Sequence, residues 1–282
     1  MQVSGTTSLY GILGWPVAHS LSPRMHNAAF AALGLDAVYV PFAVAPENLE
    51  QAISGWRALG VKGGNVTIPH KEAVCAWLDE IDPDAQLIGA VNTIVRRDER
   101  LIGYNTDGEG LVASLVKDLD CRVAAKRVLV LGAGGAARSI LVALARRGAA
   151  QILVANRSLS RAGALCQRYA AHFPDVDFSP LELDAHSLGE VFPQIDVLIN
   201  TTSIGLHGES FNVLPWRTLN VSARVYDAVY SPQQTPLVHQ ALSYGFRACD
   251  GLGMLIAQGE VAFRLWTGRD PGRFLEQALA RH

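Results

Sequence analysis

Short apolar runs alternate along this chain with longer segments whose apolar residues recur every three to four positions. The runs at 9–13 and 38–42 read as buried strands, and 46–59 reads as a helix with Leu49, Ile53 and Trp56 on one face. Ser22-Pro23 predicts a capped helix start with Pro in the first turn, and Gly34 predicts its end. A short strand is expected at 65–68, with Pro69 opening a helix over 70–78. The segments 90–95 and 101–104 read as paired strands joined by the charged stretch 96–100. A second series begins at Arg127: strand 128–131, a tight glycine turn, helix 136–147 ended by Gly148, strand 152–155 and helix 160–173. It continues with strands 197–199 and 225–228, helix 236–244 and strand 246–249. The last long helix, about 252–266, carries Leu255, Ile256, Gly259, Ala262, Phe263 and Trp266 on one stripe. Such alternation predicts an α/β protein with parallel sheets flanked by helices.

Composition narrows the picture. At 282 residues the chain is long enough for one large or two ordinary domains, and 49% hydrophobic against 18% charged residues excludes a mostly disordered chain. A net charge of −2 is too balanced for a protein that lives on nucleic-acid phosphate. Cys75, Cys121, Cys166 and Cys249 are far apart, so neither a disulfide framework nor a zinc site is expected, and a reducing, cytoplasmic compartment fits. The N-terminus has no basic stretch, and Gly11, Gly14, Pro16 and His19 interrupt its apolar residues, so no signal peptide is expected. No run approaches ~20 apolar residues, and no membrane span is expected.

Candidate chemistry sits at the junctions. Gly132, Ala133, Gly134, Gly135, Ala136 and Ala137 fit GxGxxA between a strand and a helix, where backbone N–H groups meet a pyrophosphate; the other reading is a structural glycine turn. After the next strand come Asn156, Arg157, Ser158 and Arg161, with no acid to hold ribose hydroxyls. Arginines there suit a 2′-phosphate, hence NADP, or else merely flank a helix cap. Ser20 and Ser22, two apart at a strand-to-helix turn, form a carboxylate cradle, or Ser22 simply caps the helix. Lys71 falls in the first turn of the expected 70–78 helix, beside the positive end of its dipole, which would lower its pKa and suit acid–base work; the alternative is a solvated lysine. Asn92-Thr93 and Asn105-Thr106-Asp107-Gly108 add amides and a carboxylate, or mark turns. Gln258 lies at the edge of the apolar stripe of the last helix, where a buried amide needs partners.

Taken together, GWPVAHSLSPRMHN (14–27), NVTIPHK (65–71), GAVNT (89–93), NTDG (105–108), LGAGGAAR (131–138), NRSLSRA (156–162), INTTSIG (199–205), YDAVYSP (226–232) and DGLGML (250–255) resemble the shikimate dehydrogenase family over most of the chain. The resemblance implies NADPH-dependent reduction of 3-dehydroshikimate to shikimate. It implies two domains, an α/β substrate domain over 1–107 and 251–282 and a doubly wound Rossmann NADP domain over 108–250, with the C-terminal helices returning to the first. By position Lys71 and Asp107 are the catalytic pair, and Ser20 and Ser22 bind the substrate carboxylate. Thr67, Asn92, Tyr230 and Gln258 are further substrate contacts. Gly132 to Ala136, Asn156, Arg157, Ser158 and Arg161 hold NADP, with Ala228 and Gly251 near the nicotinamide. His19, His26 and His70 accompany these motifs as structural residues. Gly64 departs from the family pattern and is expected to loosen the strand bearing Thr67. Two other readings stay open: a quinate/shikimate dehydrogenase using NAD or accepting a neighbouring cyclic acid, and an NADP-binding sensor without turnover. Intact Lys71 and Asp107 argue against the sensor, and Arg157 and Arg161 against NAD. A homodimer is left open.

Overall fold

The computed structural model describes residues 3–280; Met1, Gln2, Arg281 and His282, at the ends of the expected substrate domain, lie outside the described residues. The chain forms two compact units: one runs to Thr106 and resumes at Ile256, and the other is Asp107–Leu255.

The first unit contains β1 (Ser8–Gly14), α1 (Ser22–Ala32), β2 (Ala37–Ala43), α2 (Leu49–Ala58), β3 (Gly63–Val66), β4 (Glu80–Ile81), α3 (Pro83–Ile88), β5 (Thr93–Arg97) and β6 (Arg100–Tyr104). Its sheet has the order β2-β1-β3-β5-β6-β4. β1 pairs in parallel with β2 and β3, whereas β5 runs antiparallel to β3 and β6. The C-terminal ends of β1, β3 and β6 and the start of β5 therefore share one edge. Leu49, Ile53 and Trp56 of α2 bury one face against Leu13, Val66, Val91 and Ile94, as their helical spacing predicts. On the other side of the sheet, rings of Tyr10, His26, Phe30, Tyr39, Phe263 and Trp266 pack together.

The second unit contains α4 (Asp107–Leu119), β7 (Arg127–Leu131), α5 (Gly135–Arg146), β8 (Gln151–Asn156), α6 (Leu159–Ala170), β9 (Asp177–Glu182), α7 (Ala185–Val191), β10 (Val197–Asn200), β11 (Arg224–Asp227), α8 (Pro236–Ser243) and β12 (Arg247–Cys249). Then α9 (Leu252–Thr267) begins in this unit and continues in the first, followed there by α10 (Phe274–Leu279). Its sheet order, β12-β11-β10-β7-β8-β9, is parallel at every pairing. This is the doubly wound arrangement, with its reversal of strand order between β7 and β10. Central strands β7 and β10 are buried on both faces, which is why they appear in the sequence as unbroken apolar runs.

Three expectations need correction. The helix expected at 70–78 is absent: Thr67 O accepts the His70 N–H (2.9 Å), and the Lys71 carbonyl is taken by the Val91 N–H (2.7 Å). With that carbonyl turned to a neighbouring segment the helical ladder cannot run, and only a short 3₁₀ turn forms at Ala73–Trp77. Lys71 therefore lies in a turn, and the helix-dipole argument for it falls away. Ser22 is not the cap of α1 but its first residue; Leu21 holds the cap position, and no side-chain capping bond forms. Gly64 does not loosen β3, because a Cβ there would stand 2.7 Å from the Trp56 ring and closer still to the Gly11 carbonyl. The absent side chain is what lets β1, β3 and α2 close up.

Candidate active site

In the first unit the polar residues gather at the shared sheet edge. β1 leads to Ser20, half-buried, and Ser22, buried, and the Ser22 N–H donates to Ser20 Oγ at 3.3 Å. β3 leads to Thr67, whose N–H extends the parallel ladder to Leu13 O (2.8 Å), and to half-buried Lys71. Asn92 sits just before β5, its carbonyl accepting the Val66 N–H at 2.8 Å. Side chains there form a continuous buried network. Tyr39 Oη donates to Asn65 Oδ1 (2.7 Å), Asn65 Nδ2 to Thr93 Oγ1 (3.1 Å), and Thr93 Oγ1 to Asn92 Oδ1 (2.9 Å). Asn92 Nδ2 then donates to Thr106 Oγ1 (3.0 Å) and Gln258 Oε1 (3.5 Å), and Thr106 Oγ1 to Gln258 Oε1 (3.4 Å). The amide anticipated at the edge of the last helix's stripe is thus buried and partnered. Thr106, absent from the expected site, is buried and joins Asn92 to Gln258. Its only sequence signal was its place in NTDG.

Of the three histidines, His70 is buried with Nε2 2.7 Å from the Val44 carbonyl, and His26 is buried among aromatic rings. Burial pulls His26 down to about 3, against an opposing hydrogen bond from Asn65. A ring held neutral in this way suits packing rather than proton transfer.

The second unit holds the other candidates. Asp107, buried, is the first residue of α4. Gly132 follows β7 with φ +104°, a conformation that glycine adopts readily. Gly134 caps α5 without a side-chain bond, and Gly134, Gly135 and Ala136 are exposed. The first N–H groups of a helix lack intrahelical partners, so this turn offers donors to an anion. It also lies at the strand-order reversal, where doubly wound sheets bind ligands. After β8, Asn156 Nδ2 donates to Ser158 O (3.0 Å), Ser158 holds the cap position of α6 without a side-chain capping bond, and Arg157 and Arg161 are exposed. The residues present thus fit a dinucleotide with a 2′-phosphate. Gly251 packs on the Ala228 backbone, and its N–H donates to Val229 O at 3.0 Å. Tyr230 is half-buried, and burial raises its phenol.

A doubly wound unit with a glycine turn at its strand-order reversal defines the class of dinucleotide-binding α/β proteins. Family profiles narrow this: the shikimate dehydrogenase substrate binding domain matches residues 12–94, shikimate / quinate 5-dehydrogenase matches 114–206, and the shikimate 5′-dehydrogenase C-terminal domain matches 251–273. The shikimate dehydrogenase (NADP(+)) of Geobacter metallireducens is 50% identical over 96% of this chain and 95% of its own. Among solved structures, the Listeria monocytogenes shikimate 5-dehydrogenase in complex with shikimate and NAD gives a TM-score of 0.92 at 34% identity, over 99% of each chain. The Thermus thermophilus shikimate 5-dehydrogenase in complex with NADP(H) and shikimate gives 0.85 at 37% identity, over 96% of this chain and 98% of that one. The chain belongs to the shikimate dehydrogenase family.

Proposed function

We propose that this chain is an NADP-dependent oxidoreductase that reversibly reduces 3-dehydroshikimate to shikimate, in the route to chorismate and the aromatic amino acids. The observation that carries this reading is the buried Asn92–Thr106–Gln258 network at the sheet end to which β1 and β3 also run, in a chain of this family; it supports a site to which Ser20, Ser22, Thr67 and Lys71 contribute. In this reading residues 1–107 and 251–282 bind substrate and 108–250 bind NADP.

Ser20 and Ser22 hydrogen-bond the substrate carboxylate. Thr67, Asn92, Tyr230 and Gln258 orient the ring hydroxyls, and the network behind Asn92 fixes its amide before substrate arrives. Gly132, Ala133, Gly134, Gly135 and Ala136 hold the pyrophosphate, and Asn156, Arg157, Ser158 and Arg161 hold the adenosine 2′-phosphate. Ala228 and Gly251 flank the nicotinamide. NADPH, when bound, supplies the hydride that reduces the ketone. Lys71 and Asp107 act as a pair that delivers a proton to the developing alkoxide oxygen, and takes it back in the reverse direction.

Four free cysteines support a reducing, cytoplasmic setting. Among the described residues no helix is long and apolar enough to cross a membrane. A homodimer, the assembly left open by the sequence, is tested by light scattering of the purified chain. The function is tested by one assay: oxidation of shikimate and of quinate, each with NADP and with NAD. Shikimate with NADP is expected to be the fastest pair. Turnover of quinate with NAD at the higher efficiency would overturn the assignment in favour of a quinate dehydrogenase, and no turnover of any pair would favour a sensor.

A further inference from the structure

The C-terminal end of β11 holds a buried carboxylate that the chemistry above does not use. Asp227 is 0% exposed, as are Asn200, its register partner on β10, and Thr235, the cap of α8. Asn200 Nδ2 donates to Asp227 Oδ1 at 2.8 Å, and the Val229 N–H donates to the same oxygen at 3.1 Å.

Two chains of contacts leave this point. On one side Asn200 Oδ1 accepts from the Thr202 N–H (2.9 Å) and hydroxyl (2.8 Å). Thr202 Cγ2 and Thr201 Oγ1 then stand 2.8 and 2.9 Å from where a Cβ on Gly132 would lie, so this loop backs the glycine-rich turn. On the other side the Val229 carbonyl accepts the Gly251 N–H at 3.0 Å, and the Ala228 N–H donates to Asn200 O at 2.9 Å. One carboxylate thus braces Gly132, Ala228 and Gly251, three positions assigned above to the cofactor.

The fold bears a cost for this group. Burial pushes Asp227 up to about 6, and Asp250 adds to that, while Thr235, the Val229 N–H and Asn200 pull it back. Cys249 on β12 also feels the charge of Asp227. A folded pKa above the ordinary 3.8 means that stability falls as pH rises from about 4 to about 6, where this carboxyl ionises in the folded state. A group that stability disfavours and geometry uses marks a functional position.

We propose that Asp227 is a positioning residue for NADP: its ionised carboxylate, gripping Asn200 and the Val229 N–H through one oxygen, sets the loops at 200–204 and 228–230 against the cofactor. This rests on the cofactor reading above. Asp227→Asn keeps the size and one acceptor oxygen but removes the charge that strengthens both bonds.

The test uses the purified full-length chain and Asp227→Asn, with NADP and shikimate dissociation constants and melting temperature measured between about pH 5 and 8. Near pH 7.5 the variant is expected to melt at or above wild type, bind shikimate normally and bind NADP about tenfold more weakly, the scale of weakening a charge-assisted bond. The ratio of the two NADP constants is expected to approach one below about pH 6, where wild type is itself neutral. That ratio cancels the titration of the NADP phosphate, common to both proteins. Equal NADP affinity at about pH 7.5 would overturn the proposal alone. So would weaker binding that merely follows a lower melting temperature, which is a structural role. A wild type that binds no NADP would overturn the cofactor reading as well.

Discussion

Gly251 lies against the backbone of Ala228: a Cβ on it would fall 2.7 Å from the Ala228 carbonyl carbon, and its N–H donates to Val229 O. No side chain fits there without moving the loop after β11. Gly251→Ala is expected to destabilise the protein by about 1–3 kcal/mol, the usual cost of overpacking, and to weaken NADP binding. Thermal melting with and without NADP checks both. A variant that melts and binds as wild type would show that the loop yields freely.

Arg157 and Arg161 stand exposed around the start of α6, with no acid between them. If they grip the 2′-phosphate, Arg157→Ala raises KM for NADP far more than for NAD, because NAD lacks the group they contact. Steady-state kinetics with each cofactor decides it, and equal effects would remove the assignment.

Lys71 owes its place to a turn held by the Val91 N–H rather than to a helix. As a proton carrier, Lys71→Ala is expected to lower kcat by about 10²–10⁴-fold, the usual share of general acid–base catalysis, with little change in KM for shikimate. Lys71→Met should be nearly as inactive. Asp107→Asn should also slow turnover, and the double variant should cost less than the sum of the singles. A normal kcat with a steep rise in KM would leave Lys71 a binding residue only.

Ser22 makes no capping bond in α1, so Ser22→Ala is not expected to carry the ~1 kcal/mol stability cost of a lost cap. Loss of a hydroxyl facing the substrate carboxylate should instead weaken shikimate binding by roughly 1.5–3 kcal/mol, for Ser22 and Ser20 alike. Calorimetric titration beside a melting curve separates the two effects.

His26, held down to about 3 by burial, sets a stability trend with pH. Its folded pKa lies below the ordinary 6.5, so its contribution is full above about pH 6.5 and is lost as pH falls from there toward 3. Asp227 opposes this trend below about pH 6, so the comparison isolates His26: on going from about pH 7 to 5 the melting temperature of His26→Leu should rise relative to that of wild type.

Much of this was written along the chain. The β–α alternation, the glycine turn after β7 and the apolar stripe of α9 with Gln258 at its edge are local patterns, set by strand and helix periodicity and by the freedom of glycine. Other elements left little trace. β9 is a half-exposed edge strand, so it has no apolar run to announce it. The family strings named the residues to watch, but a string carries no partners. The tertiary structure decided that residues 70–72 would not be helical, because the Lys71 carbonyl meets the Val91 N–H from a segment twenty residues on. It decided that Thr106 would bridge Asn92 to Gln258, and that Asp227 would lose its water and gain Asn200. Local propensity fixes which backbone shapes are available, whereas hydrogen bonds between distant segments and burial of charge exist only once strands take their order in the sheet. The polar positions of the site depend on those long-range terms, and only the folded chain supplies them.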